Sequence, residues 1–69
     1  MRFLLSDHAF NRSEERGISI EAINSAVTKG KEYKSKMYGG QRRFYHDGIC
    51  VVVKRKANTI LTCYRYAHN

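Results

Sequence analysis

Proline and tryptophan are absent from this chain, and cysteine occurs only twice. Without proline or long polar tracts, and with aromatics making up 12% of the residues, the sequence does not read as disordered. The two cysteines, Cys50 and Cys63, have no Cys-x-x-Cys spacing, which argues against a zinc ribbon and a disulfide-stapled secreted scaffold. They are expected to be reduced packing residues, with a disulfide as the lesser alternative. No apolar run approaches membrane-spanning length, and the first residues lack the pattern of a secretory leader. A cytoplasmic protein is expected, or one delivered into a target cell's cytoplasm by a dedicated machine. Glycine-rich phosphate loops are missing, since Gly39-Gly40 reads as a hairpin turn. A metal site would have to be gathered from His8, His46, His68, Cys50 and Cys63, none at ligand spacing, so neither metal nor cofactor is expected.

What the chain has is positive charge. Lys and Arg outnumber Asp and Glu by 13 to 6, a formal charge of +7 on 69 residues. A chain of this length makes one domain, 1–69, with a thin core. On so small a surface the excess favours a polyanion: RNA, DNA, an acidic protein or an anionic membrane.

Ser6 to Ile18 is the stretch around which the rest is organised. Ser6 or Asp7 can cap the first free N–H groups of a helix, and Gly17 can close it in the left-handed conformation. His8, Arg12 and Arg16 recur every fourth residue and so share one stripe. One imidazole and two guanidiniums build a poor core but a reasonable phosphate contact. The plainer alternative is a solvated face, with Glu14 and Glu15 making weak ion pairs to the arginines.

Arg2 to Leu5 reads as a short first strand or a helix lead-in. Ser19 is placed to cap a second helix, in which Ile20, Ile23 and Val27 fall on one side, and Gly30 ends it. The period then becomes extended. Lys31 to Met37 and Gln41 to His46 read as strands around the Tyr38-Gly39-Gly40-Gln41 turn, and Asp47-Gly48 is a strong two-residue hairpin signal. Ile49 to Lys54 is almost wholly apolar and β-branched, and Thr59 to Tyr66 returns after a turn. The fold class is α+β: two N-terminal helices on one face of a four-stranded antiparallel meander.

Alternation assigns Phe44, Val51, Val53, Ile60, Thr62 and Tyr64 to the helix-covered face. The open face then carries Arg43, Tyr45, Cys50, Val52, Leu61, Cys63 and Arg65, with Lys34 and Lys36 from the first meander strand. On that register Cys50 and Cys63 are cross-strand neighbours. Rings and cations on an open sheet suit a nucleic-acid strand, bases stacking and phosphates meeting charge. A solvated face with snorkelling basic side chains is the alternative of equal weight.

Ser6-Asp7-His8-Ala9, Arg12 and Glu15-Arg16-Gly17-Ile18-Ser19 together resemble the opening of a family of small bacterial domains of unknown function. Gly39-Gly40, Arg43-Phe44-Tyr45 and Ile49 to Val53 fill the later places of that pattern. The order of helices then meander also resembles the RelE-type ribonuclease toxins and the broader barnase/EndoU/RelE-like group, a likeness of topology. It implies a metal-independent endoribonuclease that cleaves RNA through the 2′-hydroxyl, paired with an acidic antitoxin or immunity protein. Such cleavage needs a base, an acid and cations for the phosphorane charge. His8 is the leading acid–base candidate, and Arg12, Arg16, Arg43 and Arg65 are candidates for the phosphate. Tyr45, Tyr64 or Tyr66 can stack a base or give a proton. His68 lies near the C-terminus, where RelE-type toxins often carry catalytic groups. For binding tRNA or mRNA the candidates are Lys34, Lys36, Arg43, Tyr45, Arg65 and Tyr66. The rivals are a non-catalytic RNA-binding module and a protein-interaction domain that meets an acidic partner.

Overall fold

The computed structural model describes residues 3–34 and 40–66, with Lys34 described in its backbone alone. A short strand β1 (Leu4–Leu5) leads into helices α1 (Asp7–Glu15) and α2 (Ile20–Lys29). Strands β2 (Lys31–Lys34), β3 (Arg42–His46), β4 (Ile49–Val53) and β5 (Thr59–Arg65) follow. The last three run antiparallel in sequence, as the alternation predicts, and β2 pairs antiparallel with β3. Among the described residues the sheet nevertheless has five strands, in the order β1-β5-β4-β3-β2, and it is mixed. Leu4 and Leu5 pair in parallel with Thr59 and Ile60, so the first strand lies beside the last. Met37 and the rest of the predicted first meander strand beyond Lys34 lie outside the described residues, as do Tyr38 and Gly39 of the predicted turn.

Both helices start as their sequences dictate. Ser6 accepts a hydrogen bond from the Ala9 N–H at 3.1 Å, and Ser19 accepts one from Ala22 at 3.0 Å. The end of α1 is a Schellman closure: Ile18 N–H donates to the Ser13 carbonyl, Gly17 N–H to that of Glu14, and Gly17 takes φ +64°. Ile18 is buried behind that turn. Gly30 differs from expectation, because its φ of −75° and ψ of 166° are extended. Its role is close approach. A Cβ there would stand 2.3 Å from the Ala26 carbonyl oxygen and 2.9 Å from that of Tyr45, so only glycine lets the end of α2 meet β3. Asp47 (φ +51°) and Gly48 (φ +79°) both lie in the left-handed region, which matches the twist of a two-residue hairpin.

α1 packs over β5, and α2 over β3 and β4. Ala9, Ile18, Ile23, Ala26 and Val27 meet Phe44, Ile49, Val51, Val53, Ile60 and Cys63 in one core. The register that builds it departs from simple alternation. Val51 lies opposite Cys63 and Val52 opposite Thr62, but Val53 lies opposite Ile60, with an irregularity between Val52 and Val53. Leu61 is thus an extra residue in β5, a bulge that turns over every side chain after it. Thr62 and Tyr64, expected under the helices, share the other face with Val52 and Cys50. Cys63 and Arg65, expected on the open face, lie on the helix side. Cys50 and Cys63 therefore sit on opposite faces of the sheet and are both free thiols.

Candidate nucleic-acid interface

The sheet face away from the helices is built by alternation from four strands. In the register Lys31 lies opposite Tyr45, Tyr45 opposite Cys50, and Cys50 opposite Tyr64. The next row runs Tyr33, Arg43, Val52, Thr62. Tyr66 follows β5 and is fixed by its N–H, which donates to the Gly48 carbonyl at 3.0 Å. These positions bring three rings into contact: Tyr33 and Tyr45 at 5.3 Å between centroids, Tyr45 and Tyr66 at 5.0 Å, both edge to face. The Lys31 ammonium stands 5.5 Å from the centre of the Tyr33 ring, within cation–π range. Cys50 and Val52 form the apolar floor and are buried beneath these side chains.

Arg43 lies among the rings, its Nη1 donating to the Tyr64 hydroxyl at 3.4 Å. Its guanidinium holds its proton more firmly than usual, chiefly through the hydrogen bond to Tyr45, with burial acting in the opposite direction. The Tyr64 phenol is pushed up to about 12, first by its hydrogen bond with Cys50 and then by burial; Arg43 pulls the other way. Tyr64 is therefore a neutral hydroxyl at neutral pH, a donor rather than a base. Among the described residues the face combines one guanidinium, one ammonium and four tyrosines, a set that can stack bases and contact phosphate.

The helix side treats its cations differently. Arg12 Nη1 is bound to Glu15 Oε1 at 2.6 Å. Arg16 Nη1 donates to the Cys63 carbonyl at 2.6 Å. Arg65 donates through Nε to the Arg16 carbonyl at 3.3 Å and through Nη2 to the Gly17 carbonyl at 2.8 Å. Those three candidates hold protein atoms. His8 is exposed on α1, in the helical layer, so the sheet separates it from Arg43 and Tyr45. The expected single cluster is thus divided between two sides of the sheet. His46 is half-buried opposite Ile49, beside the hairpin turn. Lys34 pairs with Arg42 through its backbone; its side chain, Lys36 and His68 lie outside the described residues.

Sequence reasoning gave this face to Lys34 and Lys36, but Lys34 falls in register with Arg42 in the helix-side row, so Lys31 and Tyr33, which it missed, hold the open-face positions of β2; it also missed Arg42. Arg42 Nη2 donates to the carbonyls of Lys54 (3.2 Å) and Ala57 (2.8 Å) and to Asn58 Oδ1 (3.1 Å), tying down the β4–β5 turn. Burial raises the Cys63 thiol, partly offset by Arg16, and keeps it an inert core group. Among the described residues no group of three His, Cys, Asp or Glu is arranged to hold a metal, and no helix is long and apolar enough to cross a membrane.

With the site in view, comparison with known families places residues 5–65 within the family described as Domain of unknown function (DUF4258). The chain belongs to that family. No curated protein and no solved structure matches it.

Proposed function

We propose that the domain binds single-stranded RNA on the tyrosine-lined sheet face. The observation that carries this reading is the run of Tyr33, Tyr45 and Tyr66 in ring contact, with Arg43 and Lys31 beside it. Each ring offers a face or edge to an unstacked base, and each cation can meet a phosphate. The formal charge of +7 adds attraction at longer range.

A second reading, that the bound RNA is also cut without metal in the manner of a toxin, is favoured by the Arg43–Tyr64 contact. A guanidinium can stabilise phosphorane charge, and a phenol that keeps its proton can donate to the leaving 5′-oxygen. A base for the 2′-hydroxyl would have to come from elsewhere, because His8 stands on the far side of the sheet. An acidic antitoxin or immunity protein would suit the same cationic face.

The test pairs binding with cleavage. Labelled single-stranded RNA, duplex RNA and tRNA are titrated in EDTA with the native protein, Tyr45→Ala and His8→Ala. Single strands should bind best, more weakly as salt rises, with Tyr45→Ala impaired and His8→Ala unchanged. Defined fragments that vanish in Tyr45→Ala establish the nuclease; fragments that vanish only in His8→Ala move the site to α1. Absence of binding to every RNA overturns both readings and leaves the acidic protein partner.

A further inference from the structure

Tyr64 and Tyr66 lie at the end of the last strand, where backbones ordinarily fray. Between them Arg65 points to the other side of the sheet, and its guanidinium holds two successive carbonyls, those of Arg16 and Gly17. The grip is reciprocal, because Arg16 reaches back to the Cys63 carbonyl at 2.6 Å. Each of two elements thus holds the other's backbone, at the Schellman corner where α1 ends and Gly17 takes φ +64°. Those carbonyls belong to the negative end of the helix, which favours a cation there. Beyond the clamp, the Tyr66 N–H bond to Gly48 and the ring contact with Tyr45 complete the tyrosine face.

We infer that Arg16 and Arg65 are positioning residues: from the helix side of the sheet they hold the end of β5 so that Tyr64 and Tyr66 are fixed for ligand on the opposite side. This deepens the RNA reading and rests on it for the identity of the ligand. A stacking platform favours binding only when its rings are already ordered, since ordering them at the moment of contact subtracts from affinity. The two guanidiniums are engaged with backbone carbonyls in this arrangement. They act through the strand.

The test is Arg65→Ala in the full chain, with two readouts. In the free protein, the ring resonances of Tyr45 and Tyr66 shift toward exposed values and the Tyr66 amide exchanges faster, while the Val51 and Val53 methyl resonances hold. In RNA titrations, affinity falls roughly tenfold, about the contribution of one stacked base. The slope of log affinity against log salt stays that of the native protein. Arg65→Lys returns the charge without the two-pronged donor, and the rings stay displaced. A slope lowered by about one marks Arg65 as a direct phosphate contact and overturns the inference. Unmoved tyrosine resonances overturn it equally. If Arg65→Ala does not fold, Arg16→Met is scored by the same resonances. If the native protein binds no RNA, the ligand reading fails, and the resonances still decide the positioning role.

Discussion

Arg42 and Arg43 are neighbours in β3, yet they end on opposite sides of the sheet in different company. Arg42 shares the side of Val53, and its three donated bonds close on the Lys54–Asn58 turn. Arg43 shares the side of Val52 and lies among Tyr45, Tyr64 and the buried thiol of Cys50. Arg16 and Arg65 repeat the first pattern, each holding backbone carbonyls. The contrast teaches that a basic chain does not present its arginines uniformly. Arg16, Arg42 and Arg65 give donors to backbone carbonyls at the ends of elements, whereas Arg43 meets a hydroxyl and rings that a ligand can reach.

The largest effect that can break this comparison is on the helix side. Gly30→Ala should destabilise the fold by about 2 kcal/mol or more, because the new methyl meets two backbone carbonyls that cannot swing aside. A denaturant melt checks it; a loss well below 1 kcal/mol would mean that α2 and β3 can separate freely. Next comes Arg43→Met, which should leave the melt nearly unchanged but weaken single-stranded RNA binding about tenfold and lower its salt slope by about one. Equal losses from Arg42→Met and Arg43→Met in that assay would erase the distinction between the two sides.

A third prediction concerns pH. The folded state holds the Tyr64 proton more tightly than the unfolded chain, where a phenol ionises near pH ~10. Stability from this source is complete below that value and declines as pH rises to about 12. Ultraviolet titration should show one tyrosine ionising late, and Cys50→Ala should bring it back toward the ordinary range. The smallest effect belongs to Arg12→Ala. Its partner Glu15 is 59% exposed, so the melt should shift by less than about 1 kcal/mol.

Much of the fold was legible because its signals are local. Ser6 and Ser19 cap helices, Gly17 closes one, and Asp47-Gly48 makes the hairpin, each as its residue type requires. The inward positions of Phe44, Val51, Val53 and Ile60 followed from a period of two. The period failed at one point. A bulge at Val52–Val53 costs the sequence no distinctive residue, so nothing near Leu61 announces that Cys63 and Arg65 turn inward and Tyr64 outward. The pairing of β1 with β5 is also hidden, since it joins residues at opposite ends of the chain. For the site, alternation puts Arg43 and Tyr45 on the open face, as the register does, whereas Tyr66 is named as a stacking candidate without a face, and its ring meets that of Tyr45. His8 and Arg12 share α1, but Arg16 is its non-helical cap residue, and the carbonyl Arg16 meets lies near the end of β5.

That same pairing of Leu4 and Leu5 with Thr59 and Ile60 bears on how the molecule can assemble. The hairpin of β3 and β4 joins close neighbours, whereas β1 pairs with β5 and α1 packs chiefly on it. Docking of the N-terminal segment therefore requires contacts between the two ends of the chain, and long-range closure of this kind slows folding. A chain cut before Thr59 loses more than an edge strand. The cut takes away the strand that pairs with Leu4 and Leu5 and that α1 covers.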